Sequence, residues 1–526
     1  MYRMFTLFLL VACLSGCLGS GGGGGGGGGN NGVPDTNADL SDLSLSAGPL
    51  DQVFQANQLR YTATVGFLGA STTVTPTTDD ANATVTVNGV AVTSGTASGP
   101  IALDEGPDND ISVIVTAEDG ITKKVYTIGV TRESADEFAQ QAYLTALDAG
   151  ENDQFGFSIS LSGDTLAVGA VGKNSDINND IDVGAVYVFT RDNDGVWSQQ
   201  AYLKASNAEV NDQFGFSVTL SGDTLAVGAV GKNSTDNIKP DIGAVYVFTR
   251  DIDGNWTQQA YLKAFNAEEN DQFGFSVTLS GDTLAVGAVG KNIDAGAVYV
   301  FSRDNAGDWR QQDFIRAFNA EDNDQFGFSI SLSSDTLAVG AVGKNSEVNN
   351  DIDVGAVYVF IRENDGVWRQ QDFIRAFNAE DNDQFGFSIS LSSDTLAVGA
   401  VGKNIDAGAV YVFTRDNAGD WSQQDFISAF NAEAGDLFGG AVALVGDTLA
   451  VGAVGKNSEV NNDIDVGAVY VFIRDNEGEW GQQDFIRASN AEDNDQFGFP
   501  VSLSGDTLAV SAVGKNIDVG AVYVFQ

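Results

Sequence analysis

A Phe-Gly pair recurs at Phe155-Gly156, Phe214-Gly215, Phe273-Gly274, Phe326-Gly327, Phe385-Gly386, Phe438-Gly439 and Phe497-Gly498, at steps of 59, 59, 53, 59, 53 and 59 residues. This repeat constrains the fold more than any other feature, because a unit of that size cannot bury its own apolar face and must stack on its copies. Each unit reads as four strands. In the first, Phe157 to Leu161 alternates, Ser162-Gly163-Asp164 turns, and Thr165 to Ala170 returns; Ala185 to Phe189 and Trp197 to Leu203 follow across the turn at Asp192-Asn193-Asp194-Gly195. Four strands at this period predict a propeller blade. The seventh unit stops at Gln526 after its third strand, but Phe138 to Leu144 aligns with Trp197 to Leu203 and supplies the missing one. The expectation over 138–526 is therefore a seven-bladed β-propeller closed by an N-terminal outer strand, which leaves no blade with an open edge.

Residues 38–132 carry a different pattern of short alternating strands. Thr84 to Val92 is a hairpin about Asn88-Gly89, and Ile111 to Ala117 with Val125 to Arg132 makes a second. A small β-sandwich is expected there, joined to the propeller by a linker at 133–137, so the whole chain is expected to be all-β.

The first residues read as an export signal: Arg3, then an apolar run from Phe5 to Leu14 too short to span a bilayer as a stable helix. Leu14-Ser15-Gly16-Cys17 resembles the lipobox of bacterial lipoproteins, which implies cleavage after residue 16 and a lipid on Cys17. The alternative is an ordinary signal peptide with a chance cysteine. Leu18 stands where that family places an aspartate for inner-membrane retention, which points to the outer membrane. Residues 17–37, with nine consecutive glycines from Gly21, form a flexible tether.

Charge and composition limit the chemistry. Seventy-two acidic against 26 basic residues give a formal charge of −46, which disfavours nucleic acid and anionic surfaces. There is no histidine, and both cysteines lie in the first 17 residues. A mature chain of this kind builds no Ser/His/Asp triad, no Cys/His dyad and no thiolate or imidazole zinc site. Carboxylate chemistry remains open, yet the blades are near copies, with Asp-Asn-Asp-Gln-Phe-Gly-Phe spelled identically from Asp322 and from Asp381. Distinct catalytic roles need groups that differ from blade to blade, so a non-enzyme is expected.

Units one, two, four and six carry six extra residues between strands two and three. These inserts place Asp176, Asn178, Asp180 and Asp182 at alternate positions in the first unit, Asp351 and Asp353 in the fourth, and Asp463 and Asp465 in the sixth. Alternating oxygen side chains suit a hard cation, so calcium is the candidate ion; a solvated acidic loop is the alternative. These loops and the acidic ones entering each blade, such as Glu268-Glu269-Asn270-Asp271, are expected on one face, with seven lysines from Lys173 to Lys515 pairing with neighbouring acids.

The recurring Phe-Gly, Gly-Ala and Gly-Ala-Val-Tyr-Val-Phe strings resemble the FG-GAP repeat of integrin α-subunit propellers over 138–526. Residues 38–132 resemble the bacterial cadherin-like β-sandwich. Departures are Val171 and its six equivalents where integrins have proline, Ser511 where the other units have glycine, and the absence of the integrin-type calcium loop between strands one and two. These resemblances imply a lipid-anchored envelope protein that binds protein or glycan partners through the acidic face. An envelope scaffold and a carbohydrate-active propeller enzyme are the alternatives.

Overall fold

The computed structural model describes residues 35–47, 50–65, 71–103, 106–132, 138–175, 181–234, 239–346, 352–458, 464–475 and 477–526. It divides into two compact units, 1–65 with 69–133 and 66–68 with 134–526.

Among its described residues the first unit has nine strands: β1 (Leu40–Leu45), β2 (Arg60–Val65), β3 (Ser71–Thr72), β4 (Val74–Thr78), β5 (Thr84–Val87), β6 (Val90–Val92), β7 (Ile101–Ala102), β8 (Gly106–Thr116) and β9 (Lys123–Arg132). They form a five-stranded sheet in the order β2-β9-β8-β5-β6, with β1-β4 and β3-β7 as two-stranded partners. Alternation decides the faces: Tyr61, Ala63 and Val65 of β2 are buried while Arg60, Thr62 and Thr64 are exposed. Asn88 and Gly89 both have positive φ, as a two-residue hairpin turn demands. Leu40, Val85, Val113 and Ile128 pack around Tyr126, whose hydroxyl accepts from the Leu40 N–H and donates to the Ala56 carbonyl.

In the second unit, β10 (Gln140–Leu144) precedes the first blade, formed by β11 (Phe155–Ser162), β12 (Thr165–Ala170), β13 (Ala185–Arg191) and β14 (Trp197–Leu203) in that order. Five more blades repeat this meander. The seventh comprises Phe497–Ser504, Thr507–Ala512 and Ala521–Phe525, with β10 as its outer strand, so the ring closes as the repeat pattern requires. Ala139 and Gln526 exchange reciprocal backbone hydrogen bonds at 3.1 Å at the seam.

Apolar character on both faces of the central strands explains the stacking. All six residues of β12 are buried, and the cluster holding Phe155, Val168 and Tyr187 also takes in Ala509, Val522 and Val524 from the blade before it. Each inter-blade layer is thus built from two units, and no blade is covered without its neighbours. Trp197 and its equivalents lie within these layers or against them, as blade packing.

The loop between strands two and three of one blade is hydrogen-bonded to the loop that enters the next. Gln213 and Phe214 donate backbone N–H groups to the Asp182 and Val183 carbonyls at 3.0 and 3.1 Å, and the later blades repeat the contact. These two loop sets therefore share one end of the blades.

Candidate functional site

Seven buried ion clusters sit at that end. In blade four, Lys344 Nζ donates to Asp324 Oδ2 at 3.2 Å, to Glu321 Oε2 at 3.0 Å and to the Asn319 carbonyl at 2.9 Å. The lysine follows strand two, and both acids come from the loop entering strand one. The arrangement recurs at Lys232, Lys291, Lys403, Lys456 and Lys515, while in blade one Asp148 takes the place of the glutamate beside Lys173 and Asp153. The expected pairing of the lysines is present, and it lies deeper than the sequence shows: all seven lysines and their aspartates are buried. Burial pushes the carboxyls of Asp212, Asp271, Asp324, Asp383 and Asp495 above the usual range, with the lysines and backbone N–H groups opposing it. Desolvation alone would lower Lys515, but hydrogen bonds to Asp495 and Glu492 outweigh it and raise the ammonium above its ordinary value.

A tyrosine of strand three caps each cluster. Tyr358 donates to Asn319 Oδ1 at 2.8 Å, and Tyr187, Tyr246, Tyr299, Tyr411, Tyr470 and Tyr523 make the same contact with Asp148 or asparagine. In blade one the phenol thus bonds a carboxylate of the cluster directly; in the other six it bonds the side chain of the asparagine whose backbone carbonyl accepts from the lysine. Each cluster holds two carboxylates to one ammonium.

The first strands of all seven blades wall an axial cavity of about 320 Å³. Phe157, Phe216, Phe275, Phe328 and Phe387 stand side by side along it, with ring centroids 5.1 to 5.2 Å apart. Phe499 continues the series, and Gly440 interrupts it in blade six. Ser158, Ser217, Ser276, Ser329 and Ser388 also line this cavity, and each donates its hydroxyl to a glycine carbonyl of the next blade at 2.6 to 2.7 Å. The lining therefore offers aromatic and aliphatic surface with its hydroxyls already engaged. The recurrent third residue of Phe-Gly-Phe was the available signal for this ring, but alternation along one strand does not show which face meets the axis.

Of the calcium candidates, Asp176, Asn178, Asp180, Asp351 and Asp463 lie outside the described residues, as does Cys17. Asp182, Asp353 and Asp465 end the inserts in left-handed conformation, where each accepts the next blade's glutamine N–H on its carbonyl and donates its own N–H to Asn174, Asn345 or Asn457. Among the described residues, no group of three or more acidic side chains is placed to hold a metal ion.

A family model described as FG-GAP repeat matches residues 138–189, 197–248, 256–301, 309–360, 368–413, 421–472 and 480–525. A second, described as cadherin-like beta sandwich domain, matches 40–133. A protein of Evansella cellulosilytica named "Putative membrane protein" is 40% identical over 115 residues, which span 21% of this chain and 17% of that relative. Among the described residues, no helix is long and apolar enough to cross a membrane.

Proposed function

This chain belongs to the FG-GAP repeat family, and we propose that it is a non-catalytic, lipid-anchored binding protein of the cell envelope that recognises a protein or glycan partner at the cluster-bearing face of its propeller. Its two modules are those of a surface or adhesion-type protein. The observation that carries the reading is the axial cavity: seven blades converge on an aromatic wall and bring no differentiated acid, base or nucleophile to it. Around it, seven clusters each hold two carboxylates to one ammonium, and glutamates such as Glu268, Glu321, Glu380 and Glu492 are largely exposed, which supports an acidic recognition face. A partner for such a face is cationic or neutral, or is bridged by a divalent ion.

Anchoring through Cys17 fits the membrane naming of the relative. Incorporation of a palmitate analogue into the chain, lost in Cys17→Ser, tests it. Binding is tested by presenting the full chain to glycan and matrix-protein arrays with and without Ca²⁺, beside Phe275→Ala/Phe328→Ala. Gly440 shows that a blade tolerates the loss of this side chain. A ligand bound by the parent and lost in the variant supports the reading; turnover of chromogenic glycosides overturns it.

A further inference from the structure

Four consecutive entry loops carry a phenylalanine that the blades do not bury. Phe265, Phe318, Phe377 and Phe430 are 73, 71, 74 and 65% exposed. The same loop position is Ser206 on one side of this run and Ser489 on the other. Those two loops close with the same backbone bond: Ala208 to Ala205 and Ala491 to Ala488 match Ala267 to Ala264, all at 3.3 Å. The loop therefore forms without the aromatic ring; Phe265, Phe318 and Phe430 touch a strand-four phenylalanine edge-on, with centroids 5.9 to 6.1 Å apart, yet leave most of the side chain in solvent.

A second feature adds to the same rim. Blades three, five and seven lack the six-residue insert and turn through Lys291–Asp294, Lys403–Asp406 and Lys515–Asp518, where three consecutive residues are left-handed; the first two of these turns lie in the run of exposed phenylalanines. Asn and Asp tolerate that conformation, but Ile293 (φ 60°) and Ile405 (φ 60°) are β-branched and strained by it. They are 72 and 82% exposed. Ile293 accepts on its carbonyl from Asn323 in the loop of Phe318, and Asp406 does so from Leu437 in the loop of Phe430. Strained exposed isoleucine and exposed phenylalanine are thus held on joined loops.

We infer that the rim of blades three to six is a docking arc for a protein partner whose contacting surface combines apolar and basic side chains. The inference rests on the binding role proposed above and assigns it a location and a partner class. A contiguous run of large exposed apolar groups in a soluble domain marks an interaction surface. The carboxylates interleaved with it, Glu321 and Glu380 among them, select for positive charge. A second copy of this chain, at −46, is repelled. Arg316 and Asn292 line the pocket that holds Phe318 and Glu321, so a glycan bound there is an outcome that the test separates from a peptide.

The test uses the full chain and immobilised synthetic peptides of about twelve residues, composed of Arg/Leu, Arg/Ser or Glu/Leu. Phe265→Ser/Phe318→Ser/Phe377→Ser/Phe430→Ser copies the loops of Ser206 and Ser489, which keep the same backbone bond without the ring. The parent is expected to hold Arg/Leu peptides, and the quadruple variant to lose about tenfold or more of that affinity while Arg/Ser binding stays within about twofold. Equal Arg/Leu binding by parent and variant overturns the arc, as does equally tight Glu/Leu binding, or concentration-dependent self-association of the parent abolished in the variant. Peptide binding lost only in Phe275→Ala/Phe328→Ala moves the site to the axis and leaves the binding function standing. No peptide binding alongside a positive glycan array overturns the arc alone; failure of both removes the function as well.

Discussion

Ser511 donates its hydroxyl to the carbonyl of Gly156 at 2.7 Å across the seam between the last blade and the first. In blades one to five the equivalent carbonyl receives a hydroxyl from strand one, as Gly215 does from Ser158, and the strand-two position is a glycine because a Cβ at Gly169 would lie 2.4 Å from that hydroxyl and 2.2 Å from that carbonyl. In blade seven the two positions are exchanged in kind. Strand one has Pro500, which has no hydroxyl, and strand two has the serine. Ser511→Gly alone should destabilise the propeller by about 1–2 kcal/mol, through a buried carbonyl left without its donor. Adding Pro500→Ser should return most of that, and non-additivity in a thermal double-mutant cycle is the readout.

The ion clusters give a larger effect. Lys344 is fully buried, and Lys344→Met leaves Asp324 charged, buried and without its cation. A loss of about 3–5 kcal/mol is expected. Removing both charges in Lys344→Met/Asp324→Leu should recover much of it, as measured by denaturant unfolding.

Stability should hold up to about pH 9 and fall above about pH 10. Burial raises the phenols of Tyr187, Tyr246, Tyr299, Tyr411 and Tyr523 from an ordinary 10.0. For Lys173 and Lys515, hydrogen bonds to their acids outweigh desolvation and raise them from 10.5. A folded-state pKa above the unfolded one contributes stability that is complete below the unfolded value and disappears as pH climbs through the folded one. Melting temperatures at stepped pH are the check; a fall between pH 7 and 9 would contradict the assignment.

Ile293→Asn should raise stability by about 0.5–1 kcal/mol, because asparagine accepts the left-handed backbone that isoleucine resists. Thermal melts of the full chain measure it, and a drop would show that Ile293 is packed rather than displayed.

The ring, its four-stranded blades and its closure by residues before the first unit were legible because periodicity and alternation encode them locally. The lysine pairing was legible from charge, but its depth was not, since a loop lysine reads as solvated until the neighbouring blade covers it. Ser511 stood out as a departure from glycine. Its compensation did not, because Pro500 lies on another strand and the bond crosses to the first blade. The Phe265/Ser206 contrast is plain in the sequence, yet only the fold shows that the ring touches a blade by one edge and leaves most of its surface in solvent.

On the function proposed above, the propeller binds rather than catalyses, through the face that surrounds its aromatic axis. The most direct measurement is binding of the full chain to glycan and protein arrays, with Phe275→Ala/Phe328→Ala and the quadruple Phe→Ser variant in parallel. Saturable binding by the parent that is weakened about tenfold or more by at least one variant is the expected result. Binding unchanged in both variants, or none to any array member, would contradict it.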